Sequence, residues 1–77
     1  MNSISDEIKN QITYIYLTTS NNYEWEDQKI FLIEQDAINY SCKYPDIRVE
    51  IFGKTCLESG YLPIYSYYKQ GIFIKSK

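Results

Sequence analysis

The sequence contains no histidine among its 77 residues. Histidine is the usual general base near neutral pH, the common partner of serine and cysteine nucleophiles, and the commonest protein ligand of transition metals. Its absence removes the most frequent routes to acid–base, nucleophilic and metal-assisted catalysis. We therefore predict that the protein is not an enzyme and that it uses no cofactor and no small-molecule substrate.

Cysteine is scarce as well, with Cys42 and Cys56 as its two occurrences. The start of the chain is polar and acidic and lacks the apolar segment of a secretory signal. No apolar run approaches the about 20 residues that a membrane-spanning helix requires. The sequence thus predicts an intracellular protein, neither secreted nor transmembrane, with reduced thiols. We expect both cysteines to be small buried side chains, with a disulfide between them as the alternative.

Sequence signatures of nucleases and metal sites are incomplete in this chain. The stretch from Pro45 to Lys54, PDIRVEIFGK, resembles the PD-(D/E)xK nuclease signature in residue types. The comparison fails on spacing, because Phe52 stands two residues past Glu50, where the lysine belongs. Arg48 and Glu50 alternate with apolar residues, which favours an ion pair on the solvent side of a strand. The acidic EWED stretch lacks the glycine and the acid spacing of a calcium loop, so no metal site is predicted.

Hydrophobic periodicity predicts a single α+β domain. Residues 1–11 form a polar leader that suits either a short helix or a loose arm, and residues 12–77 form the domain. β-branched and aromatic residues predict strands at 12–18, 29–32, 46–54, 61–68 and 72–75. Apolar residues at helical spacing predict a helix over 33–44, which Pro45 ends. The order β-β-α-β-β-β predicts one antiparallel or mixed sheet with the helix packed on one face.

Some details of these elements follow from single residues. The helix is expected to bury one stripe of side chains, namely Ile33, Ala37, Tyr40 and Tyr44. Lys69, Gln70 and Gly71 are expected to form a three-residue hairpin loop with Gly71 in the left-handed conformation. Pro63 removes one donor from the strand ladder, so it is expected at a sheet edge or a bulge.

Tyrosine is unusually abundant, with nine residues in the chain and four of them between Gly60 and Gly71. Strand alternation places Tyr61, Tyr65 and Tyr67 in one row, opposite the side expected to face the core. Tyrosine joins a large contact area to a hydrogen-bonding tip, which is why interfaces favour it. We predict that this row binds protein, most simply a second copy of the chain. Trp25 and Tyr23 are expected to flank it, and the alternative is an aromatic cluster covered by the leader or by Trp25.

Nucleic-acid binding is the alternative function. Tyrosine rings can stack on bases, and the end of the chain is locally basic at Lys69, Lys75 and Lys77. However, the eight basic residues are scattered and the formal net charge is −2. Since phosphate contacts supply most of the affinity for nucleic acid, this charge pattern favours a protein partner.

Several segments together carry a resemblance to a known group of proteins. They are EWED (Glu24 to Asp27), the helical segment from Phe31 to Pro45, RVEIF (Arg48 to Phe52) and GYLPIYSYYKQG (Gly60 to Gly71). The pattern resembles small uncharacterised proteins encoded by giant DNA viruses of amoebae and their mobile elements. The resemblance implies a viral protein that acts in the host cytoplasm or in a virion, and it implies no particular activity or site residues.

Overall fold

A computed structural model describes residues 11–75, which form a five-stranded antiparallel sheet with one α-helix. The strands are β1 (Thr13–Thr19), β2 (Ile30–Phe31), β3 (Arg48–Lys54), β4 (Leu62–Lys69) and β5 (Ile72–Lys75). Helix α1 (Glu34–Lys43) connects β2 to β3, and a 3₁₀ helix (Trp25–Asp27) lies in the β1–β2 loop. The predicted α+β fold is confirmed. The predicted leader lies, apart from Gln11, outside the described residues.

The strand order in the sheet is β2-β1-β3-β4-β5, and every neighbouring pair is antiparallel. Strand β1 therefore lies inside the sheet, as its apolar residues on both faces predict. The predicted hairpin between β1 and β2 is present, with Tyr16 opposite Phe31 and Leu17 opposite Ile30.

The core is small and lies between α1 and the sheet. Its buried apolar residues are Tyr16, Ala37, Val49, Ile51 and Tyr68. Ser41 is also fully buried in α1, where its Oγ donates to the Ile38 carbonyl at 2.7 Å and accepts from the Gly71 N–H at 2.9 Å. Small residues at positions 37 and 41 let the helix backbone approach the sheet. The hydrogen bond between Ser41 and Gly71 connects α1 to the β4–β5 hairpin.

The predicted helix stripe is too long at both ends. Ala37 is buried and Tyr40 half-buried, but Ile33 and Tyr44 are 61% and 40% exposed. The reason is that Ile33 and Tyr44 are the two cap residues, with non-helical backbone angles, so the helical period does not hold for them. The helix also begins without a side-chain cap, and Pro45 follows its C-cap.

The β4–β5 turn is tighter than the sequence predicts. Lys69 pairs with Ile72, so the loop consists of Gln70 and Gly71, and the prediction of a three-residue loop with a bulge is wrong. Both residues have positive φ, +54° and +77°, which is the pattern of a type I′ turn. A Cβ at Gly71 would stand 2.5 Å from Cys42 Sγ, so a larger residue would displace that thiol as well as strain the backbone.

The cysteines are exposed, which contradicts the prediction that they are buried. Cys42 follows Ser41 directly in α1 and is therefore turned by about 100° from the buried side of the helix. It carries a free thiol. Cys56 lies in the turn that follows β3, outside the core.

Strand β4 contains an irregularity in its pairing with β3. Glu50 faces Tyr67 and Phe52 faces Pro63, so residues 64–66 stand opposite Ile51 alone. Two extra residues keep the alternation of faces the same on either side of the bulge. Pro63 lies beside this bulge, beyond the residues of β4 that pair with β5, and its predicted location is confirmed.

Candidate functional site

The side of the sheet opposite α1 carries a continuous set of apolar side chains, which we call the open face. One cross-strand row contains Leu17, Glu50, Tyr67 and Ile74, and Ile30 extends it at the β2 edge. The adjacent row joins Ile15 to Phe52 and Pro63. The central members of both rows are half-buried by their neighbours and still reach solvent. Contiguous apolar surface of this kind makes the open face the candidate interaction site.

Cations border the open face and lie against its tyrosine rings. The Arg48 guanidinium carbon is 4.9 Å from the centroid of the Tyr67 ring, and Lys54 Nζ is 5.9 Å from that of Tyr61. Both distances are in the range of a cation–π interaction. Arg48 also forms an ion pair with Glu50 at 3.2 Å, as the sequence predicts. Lys69 lies two residues after Tyr67 in the same strand, so it shares that side of the sheet.

The three tyrosines of the predicted row do not form one regular line. Tyr67 lies in the regular part of β4, whereas Tyr61 precedes the strand and is 38% exposed. Tyr65 lies in the bulge, is 48% exposed and has a φ of +64°, a left-handed conformation that is uncommon for a large side chain. The structure thus places Tyr61 and Tyr67 each beside a cation, with the bulge between them.

Trp25 is 85% exposed and stands among three carboxylates. We call residues Glu24–Asp27 the acidic tryptophan segment. Its turn is closed by a hydrogen bond from the Glu24 N–H to Asp27 Oδ2 at 3.0 Å, and none of the residues of its 3₁₀ helix is buried. The neighbouring Tyr23 is separate from this exposed group, because its hydroxyl lies 3.3 Å from the Tyr40 hydroxyl of α1. The two predicted flanking residues therefore have different surroundings.

The lysines predicted for nucleic-acid binding are not gathered into one patch within residues 11–75. Lys69 lies on the open face and its Nζ donates to the Pro45 carbonyl at 3.0 Å. Lys75 pairs with the buried Ser66, on the helix side of the sheet. Lys77 lies outside the described residues. The cations beside the tyrosines are instead Arg48 and Lys54, which sequence reasoning missed because they belong to the neighbouring strand.

A polar cleft of about 450 Å³ adjoins the open face at the end that carries Arg48 and Lys69. Its remaining walls come from the end of β1, the start of the β1–β2 loop and the residue after Pro45: Thr19, Ser20, Asn21, Asn22 and Asp46. The side chains that line the cleft include two cations, two amides and two hydroxyls, all of which can donate hydrogen bonds, and a single carboxylate. The cleft therefore offers several donors to a group that carries acceptor oxygens.

Three tyrosine hydroxyls have altered acidity. Burial, with a hydrogen bond from the Tyr68 hydroxyl to the Glu34 carboxylate, raises the pKa of Tyr68 to about 12. Burial, with the neighbouring Tyr40 hydroxyl, raises the pKa of Tyr23 to about 12. Burial and the negative charge of Glu34 also raise the pKa of Tyr16. In the folded chain, all three hydroxyls therefore stay protonated to a higher pH than the ordinary tyrosine pKa of 10.0 implies.

We expect the free energy of unfolding to fall as the pH rises from about 10 to about 12. In this window the unfolded chain releases the protons of Tyr23 and Tyr68, whereas the folded chain retains them, so each pH step favours unfolding. Denaturant unfolding at a series of alkaline pH values measures this slope. The double variant Tyr23→Phe with Tyr68→Phe should show a shallower slope, and an equal slope in both chains would contradict the assignment.

Within residues 11–75, no helix has the length and apolar character needed to cross a membrane. The same residues contain no group of three or more acidic, cysteine or histidine side chains that could hold a metal ion. Comparison with protein-family models, with curated proteins and with solved structures finds no match. The resemblance to proteins of giant viruses therefore stays a prediction.

Proposed function

We propose that this protein is a non-enzymatic interaction module that assembles with copies of itself. The open face of one copy binds the acidic tryptophan segment, Glu24–Asp27, of the next. The observation that carries the proposal is the match between these two surfaces. A tryptophan that is 85% exposed stands among three carboxylates, and an apolar sheet face is bordered by three cations.

The apolar part of the match supplies affinity. Trp25 leaves most of a large ring in water, and burying a tryptophan removes about 150–250 Å² from solvent. Tryptophan is also among the residues that most often carry the binding energy of an interface. The open face offers Leu17, Phe52 and Ile74 as half-buried contacts for such a ring.

The charged part of the match supplies orientation. Arg48, Lys54 and Lys69 outnumber Glu50 on the open face, although the whole chain has a net charge of −2. The carboxylates of the acidic tryptophan segment complement this excess, and the polar cleft beside Arg48 provides further donors for them. Two open faces placed against each other would instead bring like charges together, so a symmetric face-to-face dimer is disfavoured.

Because the two surfaces differ, the contact is head-to-tail, and such contacts generate rings or open filaments rather than closed dimers. At about 4.8 Å between strands and about 3.3 Å per residue, the open face has a projected area of roughly 450 Å². This is below the about 800 Å² per partner of a standard interface, so the assembly should depend on concentration. The proposal places this assembly in a virion or in the host cytoplasm, as the resemblance implies.

Light scattering on a concentration series of the natural chain tests this function. We expect a mass near 9.2 kDa in dilute solution that increases with concentration, and a smaller increase at high salt because salt screens the rim charges. A mass that stays at 9.2 kDa up to about 1 mM protein, a concentration at which even weak specific contacts form, would contradict the proposal.

A single-stranded nucleic acid is the second candidate partner, because Arg48 and Lys54 lie against Tyr67 and Tyr61. Rings with adjacent cations are the arrangement that stacks bases and binds phosphates. Addition of a thymidine oligonucleotide to the same samples separates the candidates. Self-assembly predicts no complex at about 150 mM salt, whereas a nucleic-acid function predicts a complex that weakens steeply as salt increases.

A further inference from the structure

A cavity of about 240 Å³ opens on the helix side of the sheet, beyond the part that α1 covers. Four aromatic rings line it: Tyr14, Tyr16, Tyr68 and Phe73. The Tyr68 and Phe73 rings meet nearly edge to face, with centroids 5.7 Å apart and planes at 65°. The Tyr16 and Tyr68 centroids are 6.4 Å apart, with planes at 43°. Three of the four rings that line this space are thus inclined to one another.

The single charged side chain among the residues that line the cavity is Glu34, from the first turn of α1. Its carboxylate accepts the hydrogen bond of the Tyr68 hydroxyl. The charge of Glu34 also helps to raise the pKa of both Tyr16 and Tyr68, so its field reaches two walls of the cavity. The positive end of the helix dipole opposes this field, but at about half an elementary charge it is smaller than the carboxylate charge.

We propose that this cavity binds a quaternary ammonium group, of the kind carried by choline or by trimethylated lysine. The faces of aromatic rings attract cations, and a cage of several rings is the usual recognition site for methylated ammonium groups. A bare lysine ammonium is compact and strongly hydrated, so apolar walls disfavour it. The cavity is smaller than the about 300–1,000 Å³ of drug-sized ligand sites, which suits one ammonium head group.

This site goes beyond self-assembly and does not depend on it, because the cavity and the open face lie on opposite sides of the sheet. Glu34 supplies the charge, and the rings supply an apolar wall that also attracts cations. Tyr14 and Phe73 are 39% and 53% exposed, so the cavity is open to a ligand from solvent.

Nuclear magnetic resonance titration with small probes tests the proposal at constant ionic strength. We expect tetramethylammonium and choline to shift the signals of the rings and of Ile51 and Ile64, which also line the cavity. They should bind at least about tenfold more tightly than 3,3-dimethyl-1-butanol, the uncharged carbon analogue of choline. Trimethyllysine and choline as separate probes distinguish a protein side chain from a free or lipid-derived head group.

Two variants examine the charge and the rings separately. Glu34→Gln keeps an acceptor for Tyr68 and Phe73→Leu keeps an apolar wall, and each should weaken tetramethylammonium binding about fivefold or more. Tyr61→Leu removes a ring that lines no part of the cavity and should leave binding unchanged. Equal binding of the uncharged analogue, undiminished binding by Glu34→Gln, or absence of tetramethylammonium binding at about 100 mM would each overturn the proposal.

Discussion

The variant Trp25→Ala is expected to remain monomeric at concentrations at which the natural chain assembles. Trp25 is 85% exposed and its 3₁₀ helix contains no buried residue, so the change should alter the free energy of unfolding by no more than about 0.5 kcal/mol. Truncation of a tryptophan at the centre of an interface costs about 2–4 kcal/mol of association, which weakens binding about 30- to 1,000-fold. Light scattering measures assembly, and denaturant unfolding measures stability.

Leu57→Ala is the matched control for Trp25→Ala. Leu57 is 77% exposed in the turn after β3. Like Trp25→Ala, its substitution removes a solvent-exposed apolar side chain without affecting the core. We expect the control to assemble like the natural chain. If Trp25→Ala assembles equally well, the acidic tryptophan segment does not form the contact.

The variant Tyr68→Ala is expected to unfold a large part of the protein at room temperature. Tyr68 is 7% exposed, contacts the Tyr16 and Phe73 rings, and donates a hydrogen bond to Glu34. Removing a large buried aromatic side chain costs about 3–5 kcal/mol. The free energy of unfolding of a chain this short is itself about 3–5 kcal/mol, so little stability should remain. Circular dichroism during denaturant unfolding measures the loss.

Tyr67→Ala provides the control for this result, because it removes the same side chain from the adjacent position in β4. Tyr67 lies on the open face under Arg48, so its loss should leave the fold intact and weaken assembly. The variant combined with Tyr65→Ala should behave in the same way. Equal destabilisation by Tyr67→Ala and Tyr68→Ala would contradict the assignment of Tyr68 to the core and Tyr67 to the open face.

The order and type of the main elements could be predicted because local patterns determine them. Apolar alternation identifies β3, in which Val49 and Ile51 are buried, and helical spacing with Pro45 identifies α1. The details that were wrong depend on strand pairing and helix packing rather than on residue type alone. The Gln70–Gly71 turn is shortened to two residues by the pairing of Lys69 with Ile72. Cys42 is exposed because α1 turns its buried side in another direction, and Cys56 is exposed because it lies in the turn after β3, outside the core.

The candidate sites were less accessible to sequence reasoning than the fold. The tyrosines of the open face were predicted, but their cations, Arg48 and Lys54, belong to another strand and became neighbours only through sheet register. The cavity combines residues from β1, α1, β4 and β5, with no local motif. Pro63 predicts an edge or a bulge nearby, but the positive φ of Tyr65 lacks a signal, because no glycine stands at that position.

A mixture of two variants tests the head-to-tail contact most directly. Trp25→Ala keeps an intact open face but lacks the tryptophan. Arg48→Glu keeps an intact acidic tryptophan segment but places a negative charge at the rim of its open face, where it repels the carboxylates of that segment in another copy. Each variant alone should therefore be monomeric. An equimolar mixture can form one contact between unlike chains, and light scattering should then show a complex of two chains, twice the 9.2 kDa of one. A mixture that stays at 9.2 kDa under conditions in which the natural chain assembles would contradict the head-to-tail contact.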